Sequence, residues 1–492
     1  MAGTRTLETL SFDNTYARLP EEFYAKLDPT PFTNAPVLVH FNPAAAALID
    51  LDTSQATRAE FAGVFGGNLL VPGMEPLAML YSGHQFGIYV PQLGDGRAIL
   101  LGEVRNEAGA KWDLQLKGAG RTPFSRDGDG RAVLRSTIRE YLCSEAMHGL
   151  GIPTTRALSI VGTEDKVYRE RVETGAVLLR MAPSHVRFGS FEVFYYREQH
   201  EHLKTLADHV IAQHYAHLAS DSDRYARFFA EVVRRTASLI AQWQAVGWAH
   251  GVMNTDNMSI LGLTLDYGPY GFMDDYDPGF ICNHSDHNGR YAFNQQPYIG
   301  LWNLSCLAQA LLPLADKQDL KAALNTYTGT FEERYRAEMN RKLGLEKAED
   351  DDGSLIENWL SMLEESHADY TNAFRALGTF DTNLSATNES VREHVLDRDR
   401  FEAWSRRYRA RLAHEGSGDA DRRARMNRVN PKYVLRNYLA QTAIERAQQK
   451  DYAELDRLLA LLHDPYTDHP GMDHYAAPPP NWGKHISVSC SS

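Results

Sequence analysis

Between Gly247 and Gly268 the chain reads GWAHGVMNTDNMSILGLTLDYG, which places His250, Asp256, Asn257 and Asp266 within seventeen positions. A carboxamide and a carboxylate nine residues apart, on loops flanking a short apolar pair of strands, can converge on one hard cation through oxygen ligands. Mg²⁺ or Mn²⁺ is the natural occupant. The order, His, then Asn, then Asp-x-Gly, is the order in which a protein kinase presents its catalytic loop and its metal aspartate. One piece departs from that order. Five residues before Asn257, where a kinase keeps its catalytic aspartate, stands Val252. A spare acid, Asp256, lies beside the metal asparagine instead. The competing account is a polar loop following a helix.

Three upstream groups extend the pattern. In the run Trp112 to Lys117, alternation puts Lys117 on the face of Asp113 and Gln115. A strand lysine can neutralise phosphate oxygens, and a glutamate on the following helix can hold it as an ion pair. Glu140 is preferred to Glu145 for that role, because it lies earlier and follows the Gly loop at a kinase-like distance. The loops QLGDGR (Gln92 to Arg97) and SRDGDGR (Ser125 to Arg131) offer bare backbone N–H groups that can cradle phosphate. Neither is a P-loop. Arg180 and Arg187, separated by a short connection containing APSHV, suit a polyphosphate if that connection is a turn. A solvated lysine and arginines paired with surplus carboxylates are the plainer accounts. CNHSDH, with Cys282, His284 and His287, offers zinc-type ligands but has no second cluster at ligand spacing.

The elements that must position these groups can be read from periodicity. Runs from Ala98 to Val104 and Trp112 to Lys117 read as a hairpin, followed by a helix from about Val133 to His148 that Gly149 and Gly151 stop. A strand pair follows, LSIVGTEDKVYRE and GAVLLRMA. The segment Asp223 to Val246 carries Phe228, Val232, Thr236, Leu239, Trp243 and Val246 on one helical stripe and delivers the chain to the opening stretch. After Asp266 about thirty residues lack periodicity, which marks a functional or disordered loop. Helices resume in GLWNLSCLAQALLPL and over 315–346, then from Leu355 to Leu377, and again from Asn430 and Pro431 onward. Residues 1–80 read as mostly irregular, with a short helix opened by Asn42 and Pro43.

At 492 residues the chain exceeds one hydrophobic core, so two or three domains are expected. A net charge of −13 opposes attraction to phosphate backbones and anionic lipid, arguing against nucleic-acid and membrane partners. No apolar run reaches bilayer length, and the N-terminus lacks a secretory pattern, so a cytoplasmic location is expected. Four cysteines, Cys143, Cys282, Cys306 and Cys490, are too few for a disulfide framework. Nothing demands more than a monomer.

The strings QLGDGRA, LQLKGAGRTPFSRDGDGRAVLRSTIREYL, HGVMNTDNMSILGLTLDYGPYGFMD and WNL…CLAQAL make the chain resemble the selenoprotein O (YdiU) family over essentially its whole length. The closing CSS resembles the C-terminus of that family, with Cys490 where some members carry selenocysteine. The resemblance implies an α+β, protein-kinase-like two-lobed fold with an N-terminal extension and additional C-terminal helices. Its parts would be an extension over 1–80, an N-lobe over 81–185, a C-lobe over 186–345, a helical region over 346–470 and a tail over 471–492. It also implies a pseudokinase that binds ATP in an inverted pose and transfers AMP to Ser, Thr or Tyr hydroxyls of protein substrates. Lys117, Arg180 and Arg187 would grip the phosphates, with Glu140 orienting Lys117. Gly94, Gly96, Arg97, Asp129 and Gly130 would line the nucleotide site. Asn257 and Asp266 would hold the metal, and Asp256 would accept the proton. Cys282 and Cys490, both expected on mobile segments, would form a disulfide that makes activity redox-responsive. The alternatives are an ordinary kinase, and a non-catalytic, redox-responsive scaffold that binds nucleotide.

Overall fold

In the computed structural model, which describes residues 4–488, the expected hairpin is the centre of a twisted antiparallel sheet. Its strands are β1 (Tyr24–Lys26), β2 (Val37–Phe41), β3 (Leu77–Met79), β6 (Ala98–Arg105), β7 (Lys111–Lys117), β9 (Arg156–Tyr168) and β10 (Val172–Ala182). They lie in the order β1-β3-β6-β7-β10-β9-β2, with β8 (Ala132–Val133) pairing β10. A separate small hairpin joins β4 (Gly83–Gln85) to β5 (Ile88–Val90). Residues 1–80 are less irregular than their weak periodicity predicts. Both outer strands of the sheet, and the next one in on one side, come from them. Three- to five-residue strands gain their stability from a neighbouring strand, so they leave little trace in local pattern.

The first helices are short, α1 (Pro43–Ala47) and α2 (Ala59–Phe65). Asn42 caps α1 as expected, its side chain accepting from the amides of Ala44 and Ala45. Helix α3 (Leu134–Gly149) packs on β9 and β10 and carries Glu140 behind the sheet. The helices α4 (Phe188–Tyr196), α5 (His200–His214), α6 (Arg224–Val246) and α7 (Gln296–Leu311) form the body beneath it. Along α6, Phe228, Val232, Thr236, Leu239 and Trp243 are all buried, and Gly247 ends the helix in the left-handed region at φ +74°. Two-residue strands β11 (Trp248–Ala249) and β12 (Gly271–Phe272) then bracket the functional stretch.

Beyond it follow α8 (Lys317–Asn325), α9 (Tyr327–Lys342), α10 (Asp352–Ser366), α11 (Tyr370–Leu377), α12 (Glu389–Arg392), α13 (Arg398–Glu415), α14 (Asp419–Met426), α15 (Asn437–Gln448) and α16 (Ala453–His463). The single helix expected from Leu355 to Leu377 is two, broken where His367 turns left-handed at φ +47°. The helix expected from Asn430 begins instead at Asn437. Asn430 is buried and donates to the Lys342 carbonyl, so it serves a tertiary contact rather than a cap.

Candidate active site

The strand lysine and the helix glutamate meet: Lys117 at the end of β7 pairs with Glu140 of α3. Glu145, the rejected alternative, turns the other way. It takes Arg156 at 2.8 Å and His463 at 2.7 Å, tying α3 to β9 and α16. Lys117 also lies 3.7 Å from Asp266. Arg180, on β10 in register with Gln115, reaches Glu140 at 3.1 Å and Asp266 at 2.6 Å. Arg187, just past the turn that ends β10, pairs with the other oxygen of Asp266 and donates to the Asp256 carbonyl at 2.7 Å. Asp266 thus collects three cations. Burial would raise its carboxyl, but Arg187, Arg180 and Lys117 outweigh burial and hold it well below the ordinary carboxylate range. Burial lowers the Lys117 ammonium, with Glu140 and Asp266 opposing. Asp266 sits at φ +58°, a costly conformation for a non-glycine residue that the surrounding ion pairs enforce.

The 250–257 segment closes the other side. His250 is buried and receives the Val252 amide at Nδ1 (3.3 Å), while its Nε2 bonds the Leu265 carbonyl at 3.0 Å. Burial lowers its basicity, so a neutral imidazole clamps this loop to the residue before Asp266. Asn257 donates to the Val252 carbonyl at 3.0 Å, which leaves its carboxamide oxygen as an available ligand. The apolar strand pair expected between Asn257 and Asp266 reduces to single bridges, Ser259 to Arg187 and Thr264 to Thr154. Asp256 is buried; Gln85 donates to one oxygen at 3.1 Å, and Oδ1 has no partner among the described residues. Burial raises its carboxyl to about 7.

These groups line one cavity of about 560 Å³. Gly94, Gly96, Arg97, Lys117, Asp129, Gly130, Arg180, Arg187, Val252, Asp256, Asn257 and Asp266 all border it. Glu140 stands behind Lys117. The two glycine loops are stitched together by Thr122 bonding the Asp95 carbonyl at 2.7 Å and by Ser125 bonding the Gly96 carbonyl. Arg169 grips Asp129 at 2.8 Å and lowers its carboxyl. Gly130 has φ +69°, and a Cβ there would lie 2.0 Å from the Gly120 carbonyl oxygen. Arg97 is exposed at the rim.

Several contributors were not singled out by spacing. Gln85 and Gly83 belong to β4, which lies against the 255–257 turn. A Cβ on Gly83 would come within 2.6 Å of Asp256. Glu192, fully buried on α4, accepts from the Thr255 hydroxyl and bonds His84 at 2.7 Å, which seats β4 on that turn. Asp95, between two of the chosen glycines, takes Gln115 at 3.0 Å and faces Arg187 at 3.9 Å. Tyr81 stacks under Arg187 at 4.7 Å. An acid inside a glycine turn was a usable signal for Asp95; the β4 contacts left none.

The loop after Asp266 is packed, contrary to the mobility expected for Cys282. Cys282 is buried with Sγ bonded to the Pro269 carbonyl at 2.8 Å, and Asn283 donates to Gly251 at 3.0 Å. His284 and His287 are exposed, so CNHSDH does not converge. The His284 amide meets the Val488 carbonyl at 2.8 Å. Cys490 lies outside the described residues. Nor is the tail merely superficial, because Tyr475 and Val488 are buried.

Comparison with known proteins gives this geometry a setting. The family model described as "Protein adenylyltransferase SelO" matches residues 6–463. The chain belongs to that family. It is 63% identical over 487 residues to the "Protein nucleotidyltransferase YdiU" of Myxococcus xanthus, covering 99% of this chain and 100% of the relative. The proteins of that name from Thioalkalivibrio sulfidiphilus and Thiobacillus denitrificans are 59% and 57% identical, over 99% of this chain and 99% and 100% of theirs. Membership makes the chain an enzyme of the nucleotidyltransferase class. Among the described residues, no helix is long and apolar enough to cross a membrane.

Proposed function

We propose that the chain transfers AMP from ATP to Ser, Thr or Tyr hydroxyls of proteins and releases pyrophosphate. The observation that carries this reading is the convergence of Lys117, Arg180 and Arg187 on Asp266 in one cavity with Asn257 and Asp256, while Val252 stands where a kinase would place its base. Three cations, two of them buried and Lys117 partly so, match a polyphosphate better than a single carboxylate. On nucleotide entry the phosphate oxygens compete with Asp266 for these side chains, and Glu140 keeps Lys117 aimed. The glycine loops close over the nucleotide, with Arg97 at the rim and Arg169 fixing Asp129.

Asn257 and Asp266 would hold Mg²⁺ or Mn²⁺ through oxygen, a reading supported by the free carboxamide oxygen of Asn257 and by the Oδ1 of buried Asp256 beside it, unpartnered among the described residues. Such an ion would supply charge neutralisation at the phosphates. The acceptor oxygen attacks the α-phosphorus, the bond from that phosphorus to the bridging oxygen breaks, and pyrophosphate departs. Asp256, raised to about 7, takes the hydroxyl proton. An inverted ATP pose puts the α-phosphorus at the reacting end, where transfer depends on positioning and charge more than on a strong base.

The reading places this chemistry between two kinase-like lobes, in a cytoplasmic, monomeric protein. It includes a Cys282 to Cys490 disulfide as a redox control, tested by looking for the linked peptide in oxidised protein. The reaction itself is tested with α- and γ-labelled ATP. Protein-bound label from the α position is expected; label retained only from γ overturns the proposal in favour of a kinase.

A further inference from the structure

A second cavity, of about 310 Å³, opens at the C-terminal end of α3, away from the glycine loops. One wall is apolar: Leu150 and Ile152 follow α3, Ala245 and Val246 end α6, and Val429 and Tyr466 come from farther along the chain. The opposite side is cationic. Arg334, Arg341 and Lys342 of α9, together with Arg428, share this lining with a single carboxylate, Glu338. That is a local positive excess in a chain whose net charge is −13.

The excess is not absorbed locally. Glu338 already serves two arginines, Arg334 at 2.6 Å and Arg341 at 3.2 Å. The Nε of Arg334 is buried without a hydrogen-bond partner among the described residues. Lys342 is only 5% exposed, and its ammonium rests 4.3 Å from the Phe374 ring with neither a hydrogen bond nor an ion pair among the described residues. A second ring, Tyr370, lies 5.2 Å from the same ammonium, so two aromatic faces hold it and, among the described residues, no anion does. Burial brings the Lys342 amine down to about 7, against the opposing pull of Glu338. Cations in a last helical turn complement the helix dipole, which accounts for Arg341 and Lys342 at the end of α9. It does not account for Arg334, about two turns earlier, or for Arg428, which lies just past α14.

We propose that this cavity binds a small phosphorylated molecule, its phosphate held by Lys342, Arg341 and Arg334 and its organic part lying on Leu150, Ile152 and Val246. Several cationic side chains lining one cavity, with a single carboxylate among them, suit a dianionic phosphate better than a carboxylate. The volume, at the low end for ligand sites, fits a compact body. The proposal does not depend on the reaction assigned to the main cavity.

Pyridoxal 5′-phosphate is a direct probe, because it pairs a phosphate with an aldehyde. The neutral amine of Lys342 attacks the aldehyde carbon, water leaves, and borohydride supplies hydride to trap the imine as a secondary amine. Peptide mapping of the full-length protein then separates Lys342 from labelling at Lys117. Label on Lys342 is expected at least tenfold above that from pyridoxal, which lacks the phosphate. It should fall about tenfold in Arg341→Gln with Arg428→Gln, both exposed changes that leave the core untouched. Glucose 6-phosphate should protect Lys342 at lower concentration than inorganic phosphate does. An unlabelled Lys342, equal labelling by pyridoxal, label unchanged in the double variant, or stronger protection by inorganic phosphate would each overturn the proposal.

Discussion

Asp256 is the residue whose meaning moved farthest from its surroundings in the sequence. Beside Asn257 it reads as a spare acid; in the fold it is buried, held by Gln85 and roofed by Gly83. Asp256→Asn preserves shape and removes the proposed proton acceptor. Transfer of α-label is expected to fall by about 10²-fold or more while nucleotide binding is retained. Unchanged transfer would leave Asp256 a structural acid. Glu140→Gln is expected to act differently, through Lys117 and Arg180, which both lean on it. The signature is weaker nucleotide binding, read by equilibrium titration with ATP, with a smaller effect on transfer at saturating nucleotide.

At the scale of elements, α3 is held at both ends of its chemistry. Glu140 faces the site, and about one and a half turns later, on the other side of the helix, Glu145 binds Arg156 and His463. Burial alone would raise Glu145, but the bonds from His463 and Arg156 hold it at about 2, below its ordinary 4.5. A carboxyl lowered on folding stabilises the native state above its unfolded value and loses that contribution as pH falls. The loss therefore runs from about pH 4.5 down to about 2 and amounts to roughly 3 kcal/mol. Urea midpoints measured across that window should drop for the parent protein and drop less for Glu145→Gln. The glycine loop makes a steric prediction. Gly130→Ala would press a Cβ onto the Gly120 carbonyl at φ +69° and is expected to cut nucleotide affinity at least tenfold and to lower the thermal midpoint, because the atoms met are backbone.

For the whole molecule, Arg436 is one tie between the C-terminal helices and the body, beside the Glu145 to His463 bond. It is 1% exposed, reaches Asp274 at 2.5 Å and Asp369 at 2.8 Å, and its second nitrogen lies 3.4 Å from the Ala476 carbonyl. Arg436→Met leaves the buried Asp369 and the partly exposed Asp274 without their cation and is expected to cost about 3 kcal/mol, seen as a lowered thermal midpoint. An unchanged midpoint would show that apolar packing of α15 and α16 on α3 carries that junction instead.

Much of the site was legible without coordinates, because its groups sit at ends of strongly periodic elements. Lys117 closes an alternating strand, Glu140 lies on the next helix, and Asn257 and Asp266 bracket a short stretch after the stripe of α6. Alternation and helical stripes are local, so the sequence by itself determined those elements, the family, and the order in which the cationic and oxygen-bearing side chains occur. Pairing across long separations was not local. The strands drawn from residues 1–80, the β4 roof over Asp256 and the break at His367 depend on partners elsewhere in the chain. The packed Cys282 loop and the charge of the second cavity depend on such partners too. The tertiary structure alone decided these, because burial and ion pairing are properties of what surrounds a residue rather than of the residue itself.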